Sequence, residues 1–153
     1  MKSTNVAKPE DPIKTILLSF QESKRIVDRC LLEMQEVRAN IIHSPDFSTA
    51  RANIKTDALE RKVTAIITAE QRFEKARAKM LSDLEEIINL CDSLDFDKKT
   101  VIWLRYIYGL TWEKLAMSMN LEERTAHRIH GRALSDLRKK QTEQQPLEAK
   151  TIE

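Results

Sequence analysis

The chain has 153 residues, enough for one domain or two small modules. Only two glycines and four prolines occur, while 33% of residues are charged and 41% are apolar, which excludes turn-rich β architectures and predicts an all-α protein. Net charge is only +2, but residues 56–95 carry six basic against nine acidic side chains and residues 96–140 carry ten against five, so a polyanion would meet the C-terminal part.

Residues 1–10 are polar and expected to be flexible, with no apolar run suited to a signal peptide or a membrane span. Residues 11–94 read as a long helical hairpin. Asp11 and Pro12 open its first arm as cap and first helical residue. Two heptad-spaced rows follow, Ile13, Phe20, Val27, Met34 and Ile41, then Ile16, Ser23, Cys30 and Val37. Such rows form a coiled-coil seam. The segment His43 to Asn53, with Pro45 and several turn residues, breaks the pattern. The second arm repeats it with Leu59, Ile66, Phe73, Met80, Ile87 and Leu94, and beside them Val63, Glu70, Arg77, Leu84 and Cys91. A connection of about ten residues favours an antiparallel hairpin. With its turn centred near residue 48, Cys30 faces the neighbourhood of Ile67, and Cys91 lies beyond the first arm, so no disulfide forms. Two chains zipped into a homodimer through the same seams are the alternative. Both cysteines read as small buried hydrophobes in a reducing compartment.

Residues 95–140 read as three short helices. The first covers about 97–108 and ends at Gly109, suited to a left-handed cap. Thr111 caps the second, about 112–119, and Asn120 follows where a tight turn needs positive φ. The third begins at Glu122 or Glu123 and runs into Arg138, Lys139 and Lys140, which complement its C-terminal dipole. Ala116, four residues before Asn120, is small enough for the third helix to cross closely, as in a helix-turn-helix. Leu115, Met119, Leu121, Ala126 and Ile129 then form a core with Trp103, Leu104 and Ile107. The buried stripe of the third helix is Ala126, Ile129, Ala133, Leu134 and Leu137. Arg124, Thr125, His127, Arg128, Gly131 and Arg132 are left outward. Arginines near a helix start are what reading a major groove requires, because a guanidinium bonds guanine O6 and N7 together. Arg132, Arg138, Lys139 and Lys140 are expected to contact the DNA backbone or to balance the helix dipole. The polar tail, 141–153, is expected to be disordered.

The stretch LRYIYGLTWEKLAMSMNLEERTAHRIHGRALSDL resembles region 4 of bacterial sigma factors, which reads the −35 promoter element, and RTAHRI within it resembles RinA-type phage late-gene activators. The resemblance implies a sigma-like helix-turn-helix behind a helical hairpin, promoter activation in a phage or prophage, and base contacts from Glu123, Arg124, His127 and Arg128. It covers the 45 residues 96–140. Here Asn120 stands where the family often has Gly, and Glu122 where a Ser or Thr cap is usual. The parts of a full sigma factor that melt DNA have no counterpart in it.

The expected partners are double-stranded DNA and host RNA polymerase, in the cytoplasm, with no membrane and no cofactor. His127 and His130 stand at a spacing that can ligate zinc, but no further ligand is near in sequence. No phosphate loop or nucleophile motif occurs, so no enzyme is expected. Against the regulator stand a polymerase-binding assembly protein and an oligomeric DNA-packaging protein, like a terminase small subunit. There the helices would assemble a ring.

Overall fold

The computed structural model describes residues 11–42 and 52–148. The flexible start expected at 1–10, most of the connection from His43, and the end of the tail at 149–153 lie outside the described residues. All regular structure among those described is helical. α1 spans Pro12–Ile42 and α2 spans Ala52–Cys91. α3 spans Phe96–Ile102 and runs on as a π-helical turn, Trp103–Ile107. α4 spans Trp112–Ser118 and α5 spans Glu123–Glu148. The fold is a long antiparallel helical hairpin followed by a helix-turn-helix region. α5 continues eight residues past Lys140, so 141–148 is helix where the sequence reading expected disorder.

The chain divides into two compact units. Among the described residues, one holds 22–42 and 52–82, and the other holds 11–21 and 83–148.

In the first unit the two arms run antiparallel. Arg38 pairs with Glu70, and Arg72 pairs with Glu33 at 2.6 Å. A turn centred at residue 48 would have set Arg38 opposite Leu59 and Glu33 opposite Thr64. The actual partners lie about two to three helical turns further along α2. The seam explains the difference. On α1 the expected positions Val27, Cys30, Met34 and Val37 are all partly buried. On α2 the second row is Ala69 and Ala76 rather than Val63, Glu70 and Arg77, of which Val63 and Arg77 are exposed. Alanines in the seam let helices approach closely, but their low hydrophobicity hides them from a pattern of large apolar residues. In this register the early part of α2, including half-exposed Leu59 and Val63, extends past the last residue of α1.

In the second unit the first turns of α1 contribute Ile13, Leu17 and Phe20 to the core, and the end of α2 contributes Ile87 and Cys91. Cys91 is therefore buried, not stranded beyond an arm, and burial pushes its thiol up to about 11. Both cysteines are free. Asp11 opens α1 by accepting from the Ile13 N–H at 3.2 Å. Its carboxylate also takes two donors of Arg138 on α5, one at 3.0 Å, and this guanidinium holds the carboxyl below its usual range. The Gln21 side chain donates to the Arg105 carbonyl at 3.2 Å. Lys98 on α3 bridges Asp95 at 2.8 Å and Asp136 on α5 at 2.7 Å.

The helix ends follow local chemistry. The π turn closes through Tyr108 N–H to the Trp103 carbonyl at 3.0 Å. Gly109 then takes φ +67°, and the Leu110 N–H returns to the Leu104 carbonyl at 3.0 Å. Val101, Ile102 and Tyr106 are buried, whereas Trp103 and Ile107, expected in the core, are only half-buried. A Cβ at Gly109 would meet nothing within 4 Å, so Gly109→Ala suffers only the left-handed backbone strain. It should cost about 1–2 kcal/mol, read as a lower denaturation midpoint with the same urea m-value.

Candidate nucleic-acid interface

α4 starts at Thr111, whose hydroxyl accepts from the Lys114 N–H at 3.4 Å. It ends in a turn in which Asn120 takes φ 53° and the Leu121 N–H bonds the Ala116 carbonyl at 2.9 Å. Asn tolerates this conformation better than most side chains. Glu122 then opens α5, its carbonyl accepting from Thr125 at 2.9 Å and Ala126 at 3.1 Å. Val101, Leu115, Ala116 and Ala126 form the buried centre where α3, α4 and α5 meet, with Leu104, Leu110, Trp112, Met119 and Ile129 packed around it. Ala116 is 4% exposed, so the two helices of the turn do approach through a small side chain. Further along α5, Ala133, Leu134 and Leu137 complete the buried stripe.

The opposite side of α5 is what this packing leaves to solvent. Glu123, Arg124, His127, Arg128, Gly131 and Arg132 are exposed and Thr125 is half-buried. Arg124, Arg128 and Arg132 recur every four residues, one side chain per turn. Among the described residues none of the three has an acidic partner, unlike Arg138, which is occupied by Asp11. Lys139 is exposed and, at about 100° per residue, falls on the same stripe roughly 16 Å beyond Arg128. Lys140 turns toward the half-buried flank. The structure thus gathers Arg124, Arg128, Arg132 and Lys139 on one face and sets Lys140 aside from it.

The two histidines of α5 have separate surroundings. His127 lies against Trp112, ring centroids 3.9 Å apart, and its Nε2 is 3.6 Å from a Glu123 carboxylate oxygen. His130 is bonded to the Tyr106 hydroxyl at 3.1 Å and packs T-shaped with Trp112, ring centroids 5.0 Å apart. Burial, with the positive charges of Lys14, Arg105 and Arg138 nearby, pushes the His130 imidazole down to about 4. Because that ring stays neutral when folded but protonates near 6.5 when unfolded, it contributes stability above about pH 6.5 that is lost as pH falls toward 4. Its half-exposure reduces the effect to on the order of 1–2 kcal/mol. The thermal midpoint of the wild type should therefore drop between pH 6.5 and 4.5, and His130→Gln should flatten that slope.

Sequence reasoning overlooked Trp112 and its contact with His127. The available signal was its place directly after the Thr111 cap, where the second helix of such a turn faces the start of the third. Among the described residues no group of three His, Cys, Asp or Glu side chains could hold a metal, and no helix is long and apolar enough to cross a membrane.

A buried three-helix centre, a left-handed turn and an outward arginine stripe define a helix-turn-helix carried by a helical hairpin. Residues 91–139 match the family Sigma-70, region 4, a stretch covering about a third of the chain. That family is one of DNA-binding helix-turn-helix domains rather than of enzymes. No curated protein matches the chain, and no solved structure does.

Proposed function

We propose that this protein is a sequence-specific, DNA-binding transcriptional regulator of the phage or prophage late-gene activator kind. It would act in the cytoplasm beside RNA polymerase and would not be an enzyme. The observation that carries this reading is the stripe of Arg124, Arg128 and Arg132, solvent-exposed and without acidic partners among the described residues, on the helix whose other side closes the helix-turn-helix core. Glu123, Thr125 and His127 complete the part that meets base edges, and Lys139 extends the contact along the phosphate backbone. Lys140, from its half-buried flank, is left with a backbone contact at the rim.

Selection of bound duplexes from a random pool, followed by footprinting, tests the proposal. One enriched sequence should emerge, with an affinity that falls with salt at a log–log slope of roughly −3 to −5, for three to five neutralised phosphates. Enrichment of no sequence would overturn it.

A second reading is an assembly protein that packages DNA as a ring or pairs as a homodimer through a coiled coil. It draws support from Leu59, Val63 and Ile67, half-exposed at four-residue spacing on α2. Light scattering separates the two, since a closed ring of many subunits would favour assembly.

A further inference from the structure

We infer that Trp112 is a positioning residue for base recognition, setting by its stack on His127 the direction in which that imidazole meets a base pair. The inference rests on the proposal that α5 enters the groove, and it deepens that proposal by adding a residue on α4 that touches no base.

A histidine on the open face of a helix ordinarily samples several side-chain rotamers. His127 does not stand in the open. One face of its ring lies on the Trp112 indole at 3.9 Å with a tilt of 32°. The indole is itself held, since the Arg105 guanidinium sits 4.8 Å from its centroid and the His130 ring packs T-shaped against it, centroids 5.0 Å apart. His130 is fixed in turn by the Tyr106 hydroxyl. Glu123, one turn earlier on α5, approaches Nε2 at 3.6 Å and limits the remaining rotation. Trp112 from α4 and Glu123 from α5 thus flank the imidazole, with Arg105 and His130 bracing the indole behind it, yet 48% of the His127 side chain remains exposed to a ligand.

This arrangement is more than the core needs. The buried centre of the module is made by Val101, Leu115, Ala116 and Ala126, and an aliphatic side chain at 112 could cover its edge. What an aliphatic side chain cannot supply is a flat surface that fixes the plane of a second ring. A group ordered before binding loses less freedom on binding, and it loses it for one geometry only. That is a gain in discrimination rather than in general affinity.

The test uses the full chain, the duplex enriched from the random pool, and its single-base-pair variants. His127→Ala should lower discrimination at one base pair by about two- to tenfold. Trp112→Leu should lower it at that same pair and at no other, and the double variant should lose no more than His127→Ala alone. Trp112→Phe, which keeps a ring, should retain most of it. Melting curves show whether each variant is folded at the assay temperature. A merely structural role for Trp112 would weaken binding by one factor on every duplex, and that result would overturn the inference. So would losses that fall at different base pairs or multiply independently.

A measurement without DNA adds a second arm. The His127 ring protons should resonate upfield under the indole and move downfield in Trp112→Leu. Resonances that stay in place would likewise overturn the inference. If the pool yields no preferred duplex, the proposed function falls and this inference falls with it. If a duplex is enriched and Trp112→Leu leaves its discrimination intact, only the inference falls.

Discussion

Arg128→Ala should weaken binding to the enriched duplex by about 5- to 150-fold, equivalent to about 1–3 kcal/mol, and should relax preference at a single base pair. The expectation comes from its place in the second turn of α5, exposed and without an acidic partner among the described residues. A guanidinium there can bond both acceptors on the guanine edge. Arg132→Ala, one turn further along, should behave differently. It should weaken binding by a similar factor on every sequence and reduce the salt slope by about one, as loss of a phosphate contact does. Neither change should move the folding midpoint by more than about 0.5 kcal/mol, because each removes an exposed side chain. Binding isotherms on the enriched duplex and its variants, at two or more salt concentrations, separate the roles. Equal loss on all duplexes for Arg128→Ala would demote it to a backbone contact.

A fragment that starts at residue 92 should fail to fold cooperatively, although it contains nearly all of the stretch matched by the family. The compact unit around the helix-turn-helix includes the first turns of α1, where Ile13 and Leu17 are fully buried and Phe20 is 5% exposed. Burying each such side chain stabilises a fold by about 1.5–3 kcal/mol. Losing all three, with Ile87 and Cys91 as well, removes an amount comparable with the whole stability of a small domain. The Asp11–Arg138 and Gln21–Arg105 bonds go with them. A milder version in the full chain is Leu17→Ala, which should cost about 2–5 kcal/mol. Thermal and urea denaturation followed by circular dichroism reads both. A fragment melting cooperatively at the midpoint of the intact chain would show that the N-terminal turns are dispensable.

Residues whose role is set by neighbours a few positions away were readable in the sequence. Thr111 as a cap, Gly109 and Asn120 as left-handed residues, and Ala116 as the small residue at the crossing all follow from local backbone chemistry, and the structure has each of them in that role. The outward set on α5 was legible too, because helical periodicity fixes both faces once the buried stripe is known. Features that depend on distant partners were not. The π turn lies in a run, Trp103 to Tyr108, that is apolar apart from Arg105 and therefore carries no phase information. The hairpin register depended on Ala69 and Ala76, which a search for large apolar side chains passes over. The helix beyond Lys140 begins with Gln141, Thr142 and Glu143, a polar start that composition alone cannot tell from a disordered tail. Nothing local to Asp11 announces a partner 127 positions away.

That separation bears on how the molecule forms. Arg138 follows Asp11 by 127 positions, so the salt link between them closes only after everything between them has been synthesised. Joining two points so far apart in a flexible polymer carries an entropic penalty, and a hairpin already zipped by its own Arg38–Glu70 and Arg72–Glu33 pairs shortens the effective loop from 127 positions to about 90. Folding kinetics should therefore show the arms gaining helix before the helix-turn-helix acquires protected amides, making the hairpin an internal scaffold for a tertiary nucleus of high contact order.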